Sequence, residues 1–148
     1  MSLIAANHAI RIARPTRSLK AAERFWCEGV GLEVLWRTGT EAVGGHSLLM
    51  VGAVGAPWHL ELVEDPDTLD AHPPSAEDLL VIYRGHPIDQ SEIQQLLLAG
   101  GKVVPARNPY WDEYGITIAD PDGYRLVLSH RTWGVTAEQA TTIVKLGS

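Results

Sequence analysis

The chain has 148 residues, 45% hydrophobic and 20% charged, proportions ordinary for a folded domain in water. Its net charge of −6 argues against nucleic acid, since a phosphate binder needs a basic face. No polybasic or lipidation motif points to a membrane, and the lone cysteine, Cys27, excludes an intramolecular disulfide and a cysteine-built metal cluster.

The first residues lack the charged and then apolar pattern of a secretory leader, so a cytoplasmic location is expected. Residues 7–13 carry a short strand pattern that stops at Arg14-Pro15. Ser18 stands where a helix N-cap belongs, ahead of Leu19, Ala22 and Trp26 at helical spacing. Gly29-Val30-Gly31 ends that helix. Strands are predicted around 32–37, 47–51 and 58–63, with turns at Gly44-Gly45 and at 52–57. Residues 64–77, rich in Asp, Pro and Ser, are predicted as an exposed linker.

The same order then repeats. Residues 78–83 form a strand pattern, and Asp89 with Glu92 forms a capping box before Ile93, Leu96 and Leu97. Gly100-Gly101 closes that helix, and strands follow near 102–105, 115–119 and 124–130. Asp120-Pro121-Asp122-Gly123 is a strong turn signal, and 108–112 is predicted as a loop. Thr136 and Gln139 suggest a capping box for a short C-terminal helix over 136–145. The expected fold is α+β: two tandem βαβββ modules, 7–63 and 78–130, in a single domain spanning 1–148.

Side chains alternate faces along a strand. In residues 58–63, Leu60 and Leu62 share one face, and His59 and Glu61 share the other. In residues 125–129, Leu126 and Leu128 fall together, opposite Arg125, Val127 and Ser129. Where the first module offers Glu61, the second offers Val127. Thr117 and Ser129 would add hydroxyls to that polar face. Trp58, Tyr110 and Trp111 offer flat surfaces for an aromatic or amphipathic ligand, or else simply cover a sheet edge. Arg125 could meet an anionic ligand group, or pair with Glu61 or an Asp. His46, His72, His86 and His130 are expected at turns and sheet margins, and Cys27 as an inert thiol.

These features resemble the vicinal oxygen chelate superfamily: glyoxalase I, bleomycin-resistance proteins, fosfomycin-resistance enzymes and extradiol dioxygenases. The resemblance rests on His8 at the start of the first strand, Phe25-Trp26 followed by Gly29-Val30-Gly31-Leu32, His59-Leu60-Glu61-Leu62, and the 120–123 turn. Residues 108–112, Asn-Pro-Tyr-Trp-Asp, resemble a bacterial branch of it. The resemblance implies curled mixed sheets around a concave cavity, and often a homodimer.

Metal-using members place one ligand on the first and one on the last strand of each half. Carried over, the first pair is His8 and Glu61; the second falls at Leu79 or Leu80 and at Val127, which bind no metal. Two donors are fewer than a tightly held divalent ion needs. A Zn, Mn, Fe or Ni site would need a third ligand, with Tyr83, His46 and His130 as candidates. The other readings are a weakly held metal, or none, with His8 and Glu61 paired structurally or Glu61 acting as a general base. The resemblance thus implies a small-molecule-binding protein that sequesters a ligand with Trp58, His59, Tyr110, Trp111 and Arg125. Its alternative is a metal-dependent lyase, isomerase or dioxygenase with Glu61 as catalytic residue. A protein acting only through its dimer surface is the third reading.

Overall fold

Two four-stranded mixed sheets carry the fold in the computed structural model, which describes residues 1–38 and 45–147. The first sheet has the order β1-β4-β3-β2: β1 (Ile10–Thr16), β2 (Glu33–Arg37), β3 (Leu48–Gly52) and β4 (Trp58–Glu64). The second has the order β5-β8-β7-β6: β5 (Leu79–Tyr83), β6 (Lys102–Val103), β7 (Gly115–Ala119) and β8 (Arg125–Ser129). In each, the first strand lies parallel to the last, and the other pairings are antiparallel. The tandem βαβββ architecture is therefore present. Gly44 of the expected Gly44-Gly45 turn lies outside the described residues, while Gly45 has a positive φ.

Local signals explain the helices. Helix α1 (Leu19–Glu23) starts at Ser18, whose side chain accepts from Ala21 N–H. It runs into a π-helical stretch, Arg24–Gly29, where Val30 N–H reaches back to Phe25 O at 2.9 Å. Widening the helix here lets the consecutive Phe25 and Trp26 both enter the core, edge to face at 5.0 Å. In the second module, Asp89 and Glu92 form the expected reciprocal capping box of α3 (Gln90–Leu98).

The residues expected as an exposed linker hold a helix, α2 (Pro66–Ala71). Asp65 caps it and Leu69 is buried, so a single apolar anchor ties the segment down. The loop expected at 108–112 is likewise helical, α4 (Pro109–Tyr114), with Asn108 as N-cap and Pro109 at its first position. The C-terminal helix α5 (Ala137–Leu146) has its capping box but buries none of its residues.

One apolar core serves both modules. Leu60 and Leu62 of the first join Leu126 and Leu128 of the second around Phe25, Trp26 and Leu96. The helices meet closely: a Cβ at Gly29 would lie 2.9 Å from Ala99 Cβ, and one at Gly101 would lie 2.8 Å from the Phe25 ring. A polar clasp adds to this. Asp122, in the turn before β8, accepts from Thr16 Oγ1 at 2.6 Å and from Arg17 N–H at 2.9 Å.

Asp120, at the head of that turn, is only 7% exposed, and its Oδ1 accepts from the N–H groups of Asp122 and Tyr124 at 2.9 Å. Burial, and then the Asp122 charge, pushes its carboxyl up to about 6, against the pull of those N–H groups and Arg14. The folded protein thus keeps a proton that the unfolded chain gives up near pH 4, so this group's contribution to stability falls as pH rises from about 4 to about 6. Asp120→Asn keeps the acceptor oxygen without the charge. In urea unfolding, its stability relative to the parent should rise by roughly 1–3 kcal/mol between pH 4 and pH 7. A difference that stays constant over that range would rule out Asp120 as its source.

Candidate functional site

The register of the first sheet decides what its polar face looks like. Ala13 stands opposite Glu61, Glu61 opposite Met50, and Met50 opposite Trp36. These four residues form one row across the sheet, because directly opposed residues project to the same face. One step along, Arg11 stands opposite His59. Gly52 lies beside them, where a Cβ would meet Leu35 Cδ1 at 2.9 Å and His59 Cβ at 3.1 Å.

On this face the charged groups form a compact trio. Arg11 Nε donates to His59 Nε2 at 2.9 Å, and Arg11 Nη1 lies 3.4 Å from Glu61 Oε2. A guanidinium has no acceptor, so His59 Nε2 must offer its lone pair and the ring proton sits on Nδ1. The Glu61 side chain is 17% exposed and that of Arg11 53%. Trp36, at 51%, and Leu35 are exposed beside them. The result is an open surface with a fixed polar centre and an apolar flank.

His8 stands elsewhere. It precedes β1, is exposed, and its Nδ1 accepts from Ala5 N–H at 3.2 Å. The imidazole beside Glu61 is that of His59, and its charged partner is Arg11. The second-module positions also move: Val127 stands opposite Val81, while Leu79 faces Arg125 and Leu80 faces Leu126. His8 lies five residues before Ala13, and five before Val81 is Ala76, so Ala76 is its counterpart by register.

The second sheet's equivalent face is closed. Thr117, Val127 and Ser129 are at most 1% exposed, although they lie opposite the core residues Ile118, Leu126 and Leu128. Helix α4 packs on β7 and β8 there. Trp111 meets Tyr83 edge-on at 6.3 Å and Tyr110 at 5.0 Å, and Tyr110 stacks on toward Tyr114 at 4.9 Å. Arg131 caps the cluster over the Tyr114 ring at 4.5 Å. Tyr110 and Trp111 thus fill the second face.

Arg125 Nη1 donates to Pro105 O at 3.2 Å, a backbone carbonyl and not Glu61. Trp58 shares the Leu60 face and packs against the core, on the far side of β4 from His59. His46 Nδ1 meets Glu64 O at 3.1 Å, and His130 packs edge-on against Tyr114. Among the described residues, no three His, Cys, Asp or Glu side chains gather closely enough to hold a metal ion. Arg11 and Trp36 escaped the sequence reading as site residues. Their strand parity was visible, but their neighbours depend on a cross-strand register that parity does not encode.

Comparison with known proteins places the chain. Residues 10–63 match the model of the YycE-like N-terminal domain and residues 77–130 that of the YycE-like C-terminal domain. Over 119 residues the chain is 36% identical to the Bacillus subtilis protein YycE, covering 80% of this chain and 84% of that one. The crystal structure of a Bacillus subtilis YycE protein superposes with a TM-score of 0.71 at 31% identity, over 88% of this chain and 94% of that one. A glyoxalase/bleomycin resistance protein from Streptomyces sp. CB03234 gives 0.51 at 25%, over 82% and 98%. TnmS3, an antibiotic binding protein from the same strain, shares the fold with a TM-score of 0.60 at 24%, over 89% and 100%.

The His59 tautomer can be tested directly. Long-range ¹⁵N–¹H NMR at neutral pH should show His59 with a protonated Nδ1 and a bare Nε2, and Arg11→Met should change that pattern. A proton found on Nε2 in the parent protein would mean that Arg11 does not hold the ring.

Proposed function

We propose that this chain, which belongs to the YycE-like family of the vicinal oxygen chelate superfamily, binds a small organic molecule on the open face of its first module without using a metal. The observation that carries this reading is the Arg11 guanidinium lodged against both His59 and Glu61. A divalent ion held by Glu61 and an imidazole would compete for that space and for the same lone pairs. Arg11 instead supplies a fixed positive charge and further N–H donors, which suit an acceptor oxygen on a ligand. Trp36 and Leu35 alongside suit a flat apolar body.

The ligand class is then an aromatic or polycyclic compound bearing a carbonyl, phenolate or carboxylate oxygen. Sequestration fits better than turnover, because Glu61 is engaged by Arg11. The likeness to a glyoxalase/bleomycin resistance protein is in keeping with a small-molecule site. A homodimer belongs to the same proposal, with a second copy covering exposed apolar surface outside the binding face, such as Val34 on the edge strand β2.

Titration with a panel of aromatic natural-product antibiotics, followed by tryptophan fluorescence, tests the reading. A true ligand should lose about tenfold in affinity with Trp36→Ala and again with Arg11→Met, as expected for a stacking contact and a charged hydrogen bond. Ligands that bind equally well to both variants would place the site elsewhere.

Metal content separates this from the alternative, a metal-dependent lyase, isomerase or dioxygenase using His8 and Glu61. Protein incubated with Zn, Mn, Fe or Ni and dialysed should retain no stoichiometric metal that Glu61→Ala removes. Retention that depends on both Glu61 and His8 would favour the enzyme.

A further inference from the structure

The two sheets meet at β1 and β5, and among the described residues no backbone ladder joins them. A cleft of about 360 Å³ lies at this joint, lined by Ile12, Ala13 and Arg14 of β1 and by Asp78, Leu79 and Tyr124 of the second module. Side chains hold the joint instead. Asp122 accepts from Thr16 and Arg17, and the Arg14 guanidinium lies 4.6 Å over the Tyr124 ring.

Two buried groups come together here. Among the described residues, Arg14 Nη1 is buried without a hydrogen-bond partner, a costly state for a charged donor. Asp120, 7% exposed, accepts on Oδ1 from the N–H groups of Asp122 and Tyr124 at 2.9 Å. Tyr124 thus touches both: its backbone holds the Asp120 carboxyl and its ring carries Arg14. Asp120 acts on Arg14 more strongly than Tyr124 or Asp78 does. Asp78 is engaged by Ser75 N–H at 2.6 Å, and Arg17, the next cation after β1, pairs with Asp70. Asp122, the acid in the same turn as Asp120, only opposes its ionisation, whereas Arg14 favours it.

We infer that Arg14 and Asp120 form a proton-operated latch across the joint between the modules. With the carboxyl protonated, Arg14 rests on the Tyr124 ring; when Asp120 releases its proton to solvent, Arg14 moves onto the carboxylate. Each state ties β1 to the second module, by a cation–π contact in acid and by an ion pair at neutral pH. The exchange offsets part of the cost of ionising a buried carboxyl. It also acts on the strand whose opposite face carries Arg11.

NMR of the full chain between pH 4.5 and 7.5 tests this. The Asp120 carboxyl carbon should titrate in one step centred at about pH 6, and the Arg14 Nε–H pair and the Tyr124 ring protons should shift with the same midpoint. The Arg14 δ protons, shielded by the ring in acid, should move downfield through that step. Asp120→Asn should remove the step from Arg14 and Tyr124. Arg14→Met should raise the Asp120 midpoint by roughly one pH unit or more, and it carries the test if Asp120→Asn fails to fold. Arg14 and Tyr124 signals that stay flat while Asp120 titrates would overturn the latch. So would a step that persists on Arg14 in Asp120→Asn, or an Asp120 midpoint that Arg14→Met leaves unchanged.

Discussion

Two missing side chains allow the modules to share a core. At Gly29 the π-helical end of the first module lies against Ala99, and at Gly101 the end of α3 lies against Phe25, Ile118 and the Leu96 carbonyl. Any Cβ at these points would force the helices apart, and the wedge of Phe25, Trp26 and Leu96 would lose its packing. The Asp122 clasp onto Thr16 and Arg17 then fixes how β1 sits against the second module. Everything on either face of the sheets follows from that joint.

The duplication is symmetric in backbone and asymmetric in chemistry. The first module keeps its polar row open, with a guanidinium bridging imidazole and carboxylate. In the second, Val127 stands where the first has Glu61 and Leu79 where it has Arg11, and α4 lays an aromatic cluster over that face. An extra helix with two Tyr and one Trp costs little there, because the face beneath carries Val127 with only the hydroxyls of Thr117 and Ser129 beside it. Over Glu61 the same helix would bury a charge.

Much of the architecture was legible from residue order. The two capping boxes, the 120–123 turn and the alternation in residues 58–63 and 125–129 each have a local cause, and local causes survive into the fold. What escaped was helix formation in short polar segments. Asp65-Pro66 and Asn108-Pro109 are both cap-plus-proline helix starts, and each was outweighed by surrounding composition. The site was half legible. Parity put His59 and Glu61 together, but the identity of their neighbour, Arg11 and not His8, rests on a parallel pairing 48 residues apart in sequence. Trp58 shows the limit of reading by proximity: adjacent to His59 in the chain, it points to the opposite side of the sheet.

The parallel closure of each module has a consequence for synthesis on the ribosome. β1 has no partner until β4 has been made, so residues 10–16 must wait through some forty residues of intervening chain before their ladder can form. Antiparallel β2 and β3 are both made before β4, so their pairing does not have to wait for it. Even after β4 arrives, Phe25 and Gly29 face open water until α3 emerges from the second half. Until the second module is translated, the first therefore lacks the Leu96 and Ala99 side of its core, apolar surface of the kind that invites misassembly during synthesis.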